Sequence, residues 1–278
     1  MDTLELTIDI EPKDPWSDIV IAELAEQGFD SFVNTDTGII AYANATIDLD
    51  AALAGTALNR ETGLNVQIVE KVIPQQNWNA KWEENFQPVF VEEYATILAP
   101  FHDKSLGKGL VVEIQPQMSF GTGHHQTTWM MTKALFELDS MPASVLDMGT
   151  GTGVLAIVAE KLGATNVLAI DIEDWSAENA EENAKRNGCK SIQCICGDID
   201  KVGDLPFGLI IANINKNILK AHMQTYADKL ESGGILLLSG FFGSDVDEMV
   251  EFARDYQLVK TKMFALDEWA AIQLVKTI

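Results

Sequence analysis

With 278 residues, the chain is long enough to bury the core of one large domain, or of a large domain and a small one. Its formal net charge of −23 argues against direct binding to a nucleic-acid backbone and favours a basic partner. Three clustered cysteines, without a secretory leader or an apolar run of membrane length, predict a cytoplasmic protein with no membrane association.

The first part of the chain predicts a small acidic α+β module. Apolar patterning indicates these elements, in chain order: strand 4–10, helix 16–24, strands 31–34 and 39–43, helix 49–59 and strand 66–72. The order β-α-β-β-α-β is typical of a ferredoxin-like domain. Twelve Asp or Glu residues in the first sixty positions, against Lys13 and Arg60, would attract a basic macromolecule. We predict a substrate-recognition domain over residues 1–72, with a purely structural cap as the alternative.

Residues 73–100 predict a connector that leads into a second domain over residues 101–278. Trp78, Trp82 and Phe86 are spaced four apart and would share one face of a helix. Such a pattern is typical of packing in a core or at a domain interface rather than of a cofactor site.

The second domain is predicted to be α/β, with a doubly wound sheet of seven strands. Five apolar segments alternate with helical ones, as parallel strands covered on both faces do: 145–148, 167–171, 192–195, 209–213 and 235–239. The last two strands, 258–264 and 269–275, are separated only by a short turn. They predict a C-terminal antiparallel hairpin.

The first of these strands runs into a glycine turn that predicts a Rossmann-like nucleotide-binding unit. Glycines at 149, 151 and 153 would allow the backbone to approach a ligand and turn sharply into a helix. Asp171 ends the next strand, where its carboxylate can accept hydrogen bonds from both hydroxyls of a ribose. The combination of strand, turn, helix and acid favours a cofactor that contains adenosine.

Two cofactors fit this unit. Residues 151–156 match the dinucleotide fingerprint G-x-G-x-x-A, which allows an NAD-dependent oxidoreductase. Asp147, however, is expected beside the turn, where a pyrophosphate would meet a negative charge. S-adenosylmethionine has no phosphate and carries a sulfonium and an ammonium cation, so the sequence favours it without excluding the dinucleotide.

A second feature lies ahead of the glycine turn, in the glycine- and histidine-rich loop over residues 120–128. Either Thr127 or Thr128 could cap the helix that follows, which would explain one threonine. Capping does not explain the glycines and histidines of this loop. We therefore expect the loop, from Phe120 to Thr128, to fold over the cofactor.

Asn213 is the predicted catalytic residue. It ends the fourth strand of the sheet, at the carboxyl edge where open α/β sheets bind ligands. An amide oxygen and a backbone carbonyl there can accept the hydrogens of an amine and aim its lone pair at a methyl group. The alternative is that Asn213 only caps the next helix.

The cysteines do not predict a metal site. Cys194 and Cys196 could be combined with His124 and His125 as zinc ligands. Their spacing matches no established ligand pattern, so we predict free thiols and no metal.

Six short motifs form a characteristic set: Phe-Gly-Thr-Gly-His-His-Gln-Thr-Thr, Leu-Asp-Met-Gly-Thr-Gly-Thr-Gly, Ala-Ile-Asp-Ile, Ala-Asn-Ile, Leu-Leu-Leu-Ser-Gly and Glu-Trp-Ala-Ala-Ile. Together they resemble the PrmA family, the methyltransferases of large-subunit ribosomal protein eleven. The resemblance is strong from Trp78 to the C-terminus and weaker before it. The predicted seven-stranded sheet with its final hairpin is also similar to that of class I methyltransferases.

The resemblance implies an S-adenosylmethionine-dependent enzyme that methylates lysine ε-amines and an α-amine of a basic ribosomal protein. The amino-terminal module would recognise that protein. The resemblance and the residue patterns together predict these cofactor-binding residues: Phe120, Thr127, Thr128, Gly149, Gly151, Asp171 and Asn213.

Two stretches depart from the pattern of the family. Gln115–Ser119 is an unusual lead into the loop, and Asn215-Lys216 is atypical after Asn-Ile. Two alternatives to the methyltransferase stay open, namely the NAD-dependent oxidoreductase and a catalytically inactive module that binds a basic ribosomal protein. The glycines and Asp171 argue against the inactive module.

Overall fold

The computed structural model describes residues 2–75, 78–117 and 119–277, with the side chains of all of these except 78–81. The chain forms two compact units, Met1–Asn85 and Phe86–Ile278. No helix in the described ranges is long and apolar enough to cross a membrane.

The first unit is built on a four-stranded antiparallel sheet. Its elements are β1 (Thr3–Glu11), α1 (Trp16–Glu26), β2 (Phe29–Asn34), β3 (Gly38–Asn44), α2 (Leu49–Ala54), α3 (Ala57–Arg60), β4 (Asn65–Ile73) and α4 (Trp78–Asn85). The strand order is β2-β3-β1-β4. Because β1 alternates strictly between buried and half-exposed positions, Leu6 and Ile8 face a core that includes Val20 and Leu24 of α1.

The helix predicted over residues 49–59 is wrong as a single element, because the chain breaks at Gly55 and Thr56 into α2 and α3. Thr56 has extended backbone angles, and its hydroxyl donates back to Leu53 O at 2.8 Å. Glu23 of α1 accepts the Ala57 N–H at 2.6 Å. A carboxylate from another helix thus satisfies a donor at the new helix start, which sequence periodicity alone does not reveal.

The predicted packing face of Trp78, Trp82 and Phe86 is only partly described. The Trp78 side chain lies outside the described residues, and Trp82 is 47% exposed. Since α4 ends at Asn85, Phe86 is not on its surface. Its ring instead packs against His102 and His124, so the helical spacing was misleading for this residue.

The second unit begins with a small sheet that the sequence analysis did not foresee. It consists of β5 (Val89–Val91), β6 (Ala95–Leu98) and β7 (Leu110–Glu113), in the order β5-β6-β7. The predicted connector covers the first two of these strands. Very short strands of this kind leave little periodic signal in a sequence.

A large mixed sheet with helices on both faces follows. Its elements are α5 (Gln126–Phe136), β8 (Ser144–Met148), α6 (Val154–Lys161), β9 (Asn166–Asp171), α7 (Asp174–Arg186), β10 (Ile192–Cys196), β11 (Phe207–Asn213), α8 (Lys216–Lys229), β12 (Leu230–Phe242), α9 (Val246–Arg254), β13 (Leu258–Leu266) and β14 (Trp269–Lys276). The strand order is β10-β9-β8-β11-β12-β14-β13. The first five strands are parallel, and β14 is antiparallel to both of its neighbours.

Alternate residues of the central strands feed two separate cores, which is why these strands are apolar throughout. Val145 and Ile211 belong to the core that includes α5 and α6, whereas Leu146 and Ile210 belong to the core that includes α8 and α9. The chain leaves β8 on one side towards β9 and β10, and then returns to β11 on its other side. This change of direction creates a crevice at the carboxyl ends of β8 and β11, where open α/β sheets bind ligands.

Candidate active site

A cavity of about 760 Å³ lies at the carboxyl ends of β8, β9 and β11, within the size range of small-molecule sites. All seven residues predicted to bind the cofactor line it: Phe120, Thr127, Thr128, Gly149, Gly151, Asp171 and Asn213. The fold therefore brings together residues that are far apart in the sequence. Their individual roles toward a ligand stay predictions.

Two glycines of the turn are required by the protein's own packing. Gly149 and Gly151 have φ values of +70° and +55°, in the left-handed region. A Cβ on Gly149 would lie 2.2 Å from Cγ2 of Ile214, and one on Gly151 would lie 2.2 Å from the backbone oxygen of Phe120. The sequence pattern predicts these glycines from the approach of a ligand, but Phe120 of the loop and Ile214 beyond β11 also approach them.

Asp171 ends β9 and is half-exposed at the cavity. Its Oδ2 accepts the N–H of Gly151 at 2.9 Å, and its Oδ1 accepts the N–H of Glu173 at 3.1 Å. These two bonds fix the carboxylate against the glycine turn. Each oxygen retains capacity to accept a further hydrogen bond from a ligand hydroxyl.

Asp147 does not line the cavity, contrary to the position expected from the sequence. It is 1% exposed, and the hydroxyl of Thr150 donates to its Oδ2 at 2.6 Å. The N–H of Ala156, in the first turn of α6, also donates to the carboxylate. The N-cap residue of α6 is Gly153, which has no side chain that could accept an N–H group of the first helical turn. The carboxylate of Asp147, which does not line the cavity, accepts one of these N–H groups instead.

The buried Asp147 predicts a pH-dependent stability. Burial disfavours the charged form and raises the pKa of this carboxyl to about 6, and the charge of Asp171 adds to the rise. From about pH 4 to about pH 6 the folded state binds more protons here than the unfolded state, so the free energy of unfolding falls as pH rises. Integrated over the whole titration, from well below pH 4 to well above pH 6, the share of this group in the fall is about 3 kcal/mol.

We expect urea unfolding of the wild type and of Asp147→Asn to reveal this effect. The free energy of unfolding of the wild type, minus that of the variant, should decrease by about 2 kcal/mol between pH 4.5 and pH 7. A difference that stays constant over this range would contradict the raised pKa of Asp147.

The cavity itself is acidic. Its lining includes the carboxylates of Asp171, Glu173 and Asp198, and none of the described residues that line it is a lysine or an arginine. A pyrophosphate would be repelled by these charges, whereas a sulfonium and an ammonium group would be attracted. The electrostatic preference for S-adenosylmethionine over a dinucleotide therefore rests on the cavity wall and not on Asp147.

The loop ahead of α5 lies across the glycine turn. Thr152 holds it there, because its N–H donates to Phe120 O at 2.8 Å and its hydroxyl donates to Gly121 O at 2.6 Å. Neither Thr127 nor Thr128 caps α5. His125 is the N-cap residue, and its Nδ1 accepts the Thr127 N–H at 3.3 Å. The capping alternative is therefore wrong, and both threonines line the cavity instead.

Asn183 on α7 and Asn187, just past the end of α7, are one helical turn apart and hold the lead into this loop. Asn187 accepts the Glu113 N–H at 2.8 Å and donates to Glu113 O at 2.7 Å. Asn183 accepts the Gln115 N–H at 2.9 Å and donates to Thr152 O at 3.0 Å. Since Asn183 is fully buried, it ties the unusual lead segment to the glycine turn in a protected position.

Asn213 is half-buried at the end of β11, and its Nδ2 lies 3.5 Å from the Thr128 hydroxyl. It does not cap α8. That role belongs to Asn215, whose Oδ1 accepts the Asn217 N–H at 2.9 Å. The capping alternative for Asn213 is therefore also wrong, and its Oδ1 is left as an acceptor on the cavity wall.

Sequence reasoning missed several other residues that line the cavity: Trp175, Asp198, His222 and Trp269. Asp198 follows the end of β10, so the same strand-end argument that identified Asp171 could have found it. Trp269 begins β14, and its ring lies 4.7 Å from that of His125 and 4.5 Å from that of Phe242. Only the fold brings these aromatic side chains to the site.

The described residues contain no group of three or more His, Cys, Asp or Glu side chains arranged to hold a metal ion. Cys194 is half-buried and Cys196 is exposed, and both are free thiols. Burial raises the pKa of Cys194 to about 12, so its reactive thiolate form is disfavoured.

Comparison with known proteins identifies the family. Residues 7–277 match the family described as Ribosomal protein L11 methyltransferase (PrmA). The chain belongs to this family. The ribosomal protein L11 methyltransferase of Porphyromonas gingivalis is 42% identical, covering 92% of this chain and 89% of that protein. The protein of the same name from Phocaeicola vulgatus is 36% identical and covers 99% of both chains.

A solved structure from the same family supports the fold. Ribosomal protein L11 methylase from Lactobacillus delbrueckii subsp. bulgaricus has a TM-score of 0.64 at 27% identity, covering 69% of this chain and 100% of that chain. The second unit thus has a methyltransferase-like α/β fold with a large mixed sheet. Membership of the family confirms the predicted methyltransferase activity and S-adenosylmethionine cofactor, and it does not favour the oxidoreductase or the inactive module.

Proposed function

We propose that this chain transfers methyl groups from S-adenosylmethionine to lysine ε-amines and an α-amine of ribosomal protein L11. The observation that carries the proposal is the proximity of Asn213 to Thr128 on the wall of an acidic cavity at the end of β11. An amide acceptor for an amine stands there beside carboxylates that suit a cationic methyl donor.

The cofactor side of the site follows from the glycine turn. In this proposal the free lone pairs of Asp171 accept the ribose hydroxyls, and the backbone of Gly149 and Gly151 lies against the ligand. Phe120 comes from the loop that Thr152 holds across the turn, and Thr127 comes from the first turn of α5. These residues fit the cofactor because the cavity is large enough and has no cationic side chain among its described lining residues.

The acceptor side needs orientation more than proton transfer. When bound, S-adenosylmethionine would supply a methyl group attached to a positively charged sulfur. The lone pair of an amine can bond to the carbon of that methyl group while the sulfur leaves as a neutral thioether. Asn213 Oδ1 accepts one N–H of the amine and so aims its lone pair at the carbon. The hydroxyl of Thr128, close to Nδ2, fixes the plane of the amide.

The amine must be neutral when it reacts, because an ammonium group has no free lone pair. The ordinary pKa of a lysine is about 10.4, and removal from water lowers it. His125, Phe242 and Trp269 form an aromatic group whose rings can cover the alkyl chain and exclude water. We propose that this group makes the lysine easier to deprotonate, with the proton released to solvent.

The first unit is proposed as the recognition domain. Its element order, with α2 and α3 in the place of a single second helix, and its strand order β2-β3-β1-β4 support a ferredoxin-like fold over residues 1–72. Residues 73–100 are the proposed connector, and residues 101–278 are the proposed catalytic domain, a seven-stranded class I sheet that ends in a hairpin. The acidic first unit would attract a basic ribosomal protein in the cytoplasm, without direct contact to nucleic acid.

The direct test incubates the full chain with methyl-labelled S-adenosylmethionine and unmodified ribosomal protein L11, followed by mass spectrometry. We expect label on lysine ε-amines and on the α-amine. L11 with acetylated amines is the control and should remain unlabelled. Unmodified L11 that gains no methyl groups under conditions where S-adenosylmethionine binds would contradict the proposed function.

The same assay tests steering by the acidic unit. Raising the ionic strength from about 0.05 M to about 0.5 M should increase KM for L11, because salt screens the attraction between exposed charges. The dissociation constant of the cofactor, measured alongside, serves as the reference. A KM that does not respond to salt would contradict the steering role.

A further inference from the structure

The segment 214–216 joins Asn213 to α8 just beyond the end of the sheet. The paired register of β11 and β12 ends at Asn213 and Ser239. From Ile214 onward, the ladder of parallel strands no longer fixes the backbone. The orientation of the Asn213 amide therefore depends on what holds the following residues.

Ile214 is held between two glycines. A Cβ on Gly149 would lie 2.2 Å from Ile214 Cγ2, and one on Gly240 would lie 2.2 Å from Ile214 O. Ile214 is thus in close contact with both the cofactor turn and the end of β12. These contacts limit its translation, but they supply no directional bond between the two strand ends.

Lys216, the first residue of α8, supplies that directional link. Its Nζ lies 2.7 Å from Asp245 Oδ1 and 3.0 Å from Glu248 Oε2. The other oxygen of Asp245, Oδ2, accepts the N–H of Phe242 at 3.1 Å. One carboxylate therefore connects Lys216 with Phe242, which is two residues past Gly240.

We propose that Lys216 is a positioning residue that acts through Asp245 to fix the Asn213 amide against the end of β12. The contacts close a ring around the acceptor site, from Asn213 through Lys216, Asp245 and Phe242 back to Ser239. The inference rests on the proposed function, because it assigns Lys216 a role in orienting the acceptor amine.

The exposure of the Lys216 ion pair favours a role in positioning Asn213 over a role in stabilising the fold. The Lys216 side chain is 28% exposed, and partly exposed ion pairs contribute little to the free energy of unfolding. A link of this kind can still matter for a reaction, since small displacements of an orienting group reduce the rate strongly. Variants at this position should therefore fold, and their kinetics should report on the link.

Lys220 offers a matched control. It lies one turn further along α8, it is also 28% exposed, and its Nζ lies 2.7 Å from Glu248 Oε1. It packs over the Phe252 ring and has no ion pair with Asp245. Lys216→Met and Lys220→Met remove the same charge from the same helix, but only the first breaks the link to Phe242.

The experiment compares Lys216→Met, Lys220→Met and Lys216→Arg by steady-state methylation of L11 and by calorimetric titration with S-adenosylhomocysteine. Lys216→Met should lower kcat about tenfold, with KM for L11 and the cofactor dissociation constant within about twofold of wild type. Lys220→Met should retain wild-type kcat. Lys216→Arg should recover most of the loss, because arginine can also bridge to the carboxylate.

Amide hydrogen exchange gives a second readout that needs no turnover. Lys216→Met should increase exchange at residues 213–216 and 240–242, and Lys220→Met should not. Equal kcat in wild type and Lys216→Met, or equal exchange in both lysine variants, would overturn the positioning role. If the wild type itself fails to methylate L11, the proposed function fails, and the exchange data still decide whether Lys216 holds the strand ends together.

Discussion

Replacement of Asn213 by alanine is expected to lower kcat for methyl transfer by about 100-fold while leaving the affinity for S-adenosylmethionine nearly unchanged. The reason is that Asn213 Oδ1 orients the acceptor amine, whereas most of the cofactor is held by the turn and by Asp171. Single-turnover methylation of L11 and calorimetric titration with the cofactor measure the two quantities separately.

Asn217 provides the control for this variant. It is an exposed amide on the first turn of α8, and it does not line the cavity. Asn217→Ala should therefore have wild-type kcat and affinity. If Asn213→Ala also turned over at the wild-type rate with normal cofactor binding, Asn213 would have no part in the mechanism.

Replacement of Asp171 by alanine should raise the dissociation constant of S-adenosylmethionine about 10- to 100-fold. Hydrogen bonds to a charged acceptor contribute about 1.5–3 kcal/mol, and the variant loses such bonds to the ribose. Gly151 and Glu173 also lose the acceptor of their N–H groups, so the free energy of unfolding should fall as well. Calorimetric titration and urea unfolding measure both effects.

Asp174 offers a control with the same change of charge. It lies three residues beyond Asp171, is exposed and does not line the cavity. Asp174→Ala should leave the dissociation constant close to that of wild type. Equal affinities in Asp171→Ala and wild type would refute the ribose assignment, and equal losses in both variants would indicate a general charge effect.

The sequence was most informative where one local pattern implied one backbone conformation. The apolar segments at 145–148 and 209–213 became β8 and β11, because buried parallel strands need continuous apolar sequence. The strand-end rule then placed Asp171 and Asn213 at one edge of the sheet, and both line the same cavity. Residues of this kind could be predicted because their positions depend on topology alone.

The remaining features depend on contacts between distant residues. Thr127, Thr128 and Asn213 all looked like possible helix caps, but His125 and Asn215 occupy those positions. Which of several adjacent polar residues caps a helix depends on where the helix begins. A sequence pattern locates that position only to within one or two residues.

The positions of the acidic side chains around the site were also difficult to predict. Asp147 precedes the glycine turn directly, and the sequence does not show that Thr150 and Ala156 bind its carboxylate behind the turn. The carboxylate of Asp198, in contrast, reaches the cavity from the neighbouring strand end. The acidic character of the site could thus be inferred from the sequence, although only Asp171 of the three residues responsible for it was predicted.

Asn179, Asn183 and Asn187 also have a consequence for solubility. β7 is an edge strand of the small sheet, and an open edge can recruit strands from other molecules and start aggregation. Both hydrogen-bonding groups of Glu113 are taken by Asn187, and those of Gln115 by Asn183 and Asn179. Side-chain amides thus occupy the end of β7 and the residue Gln115 beyond it, where a foreign strand would otherwise pair.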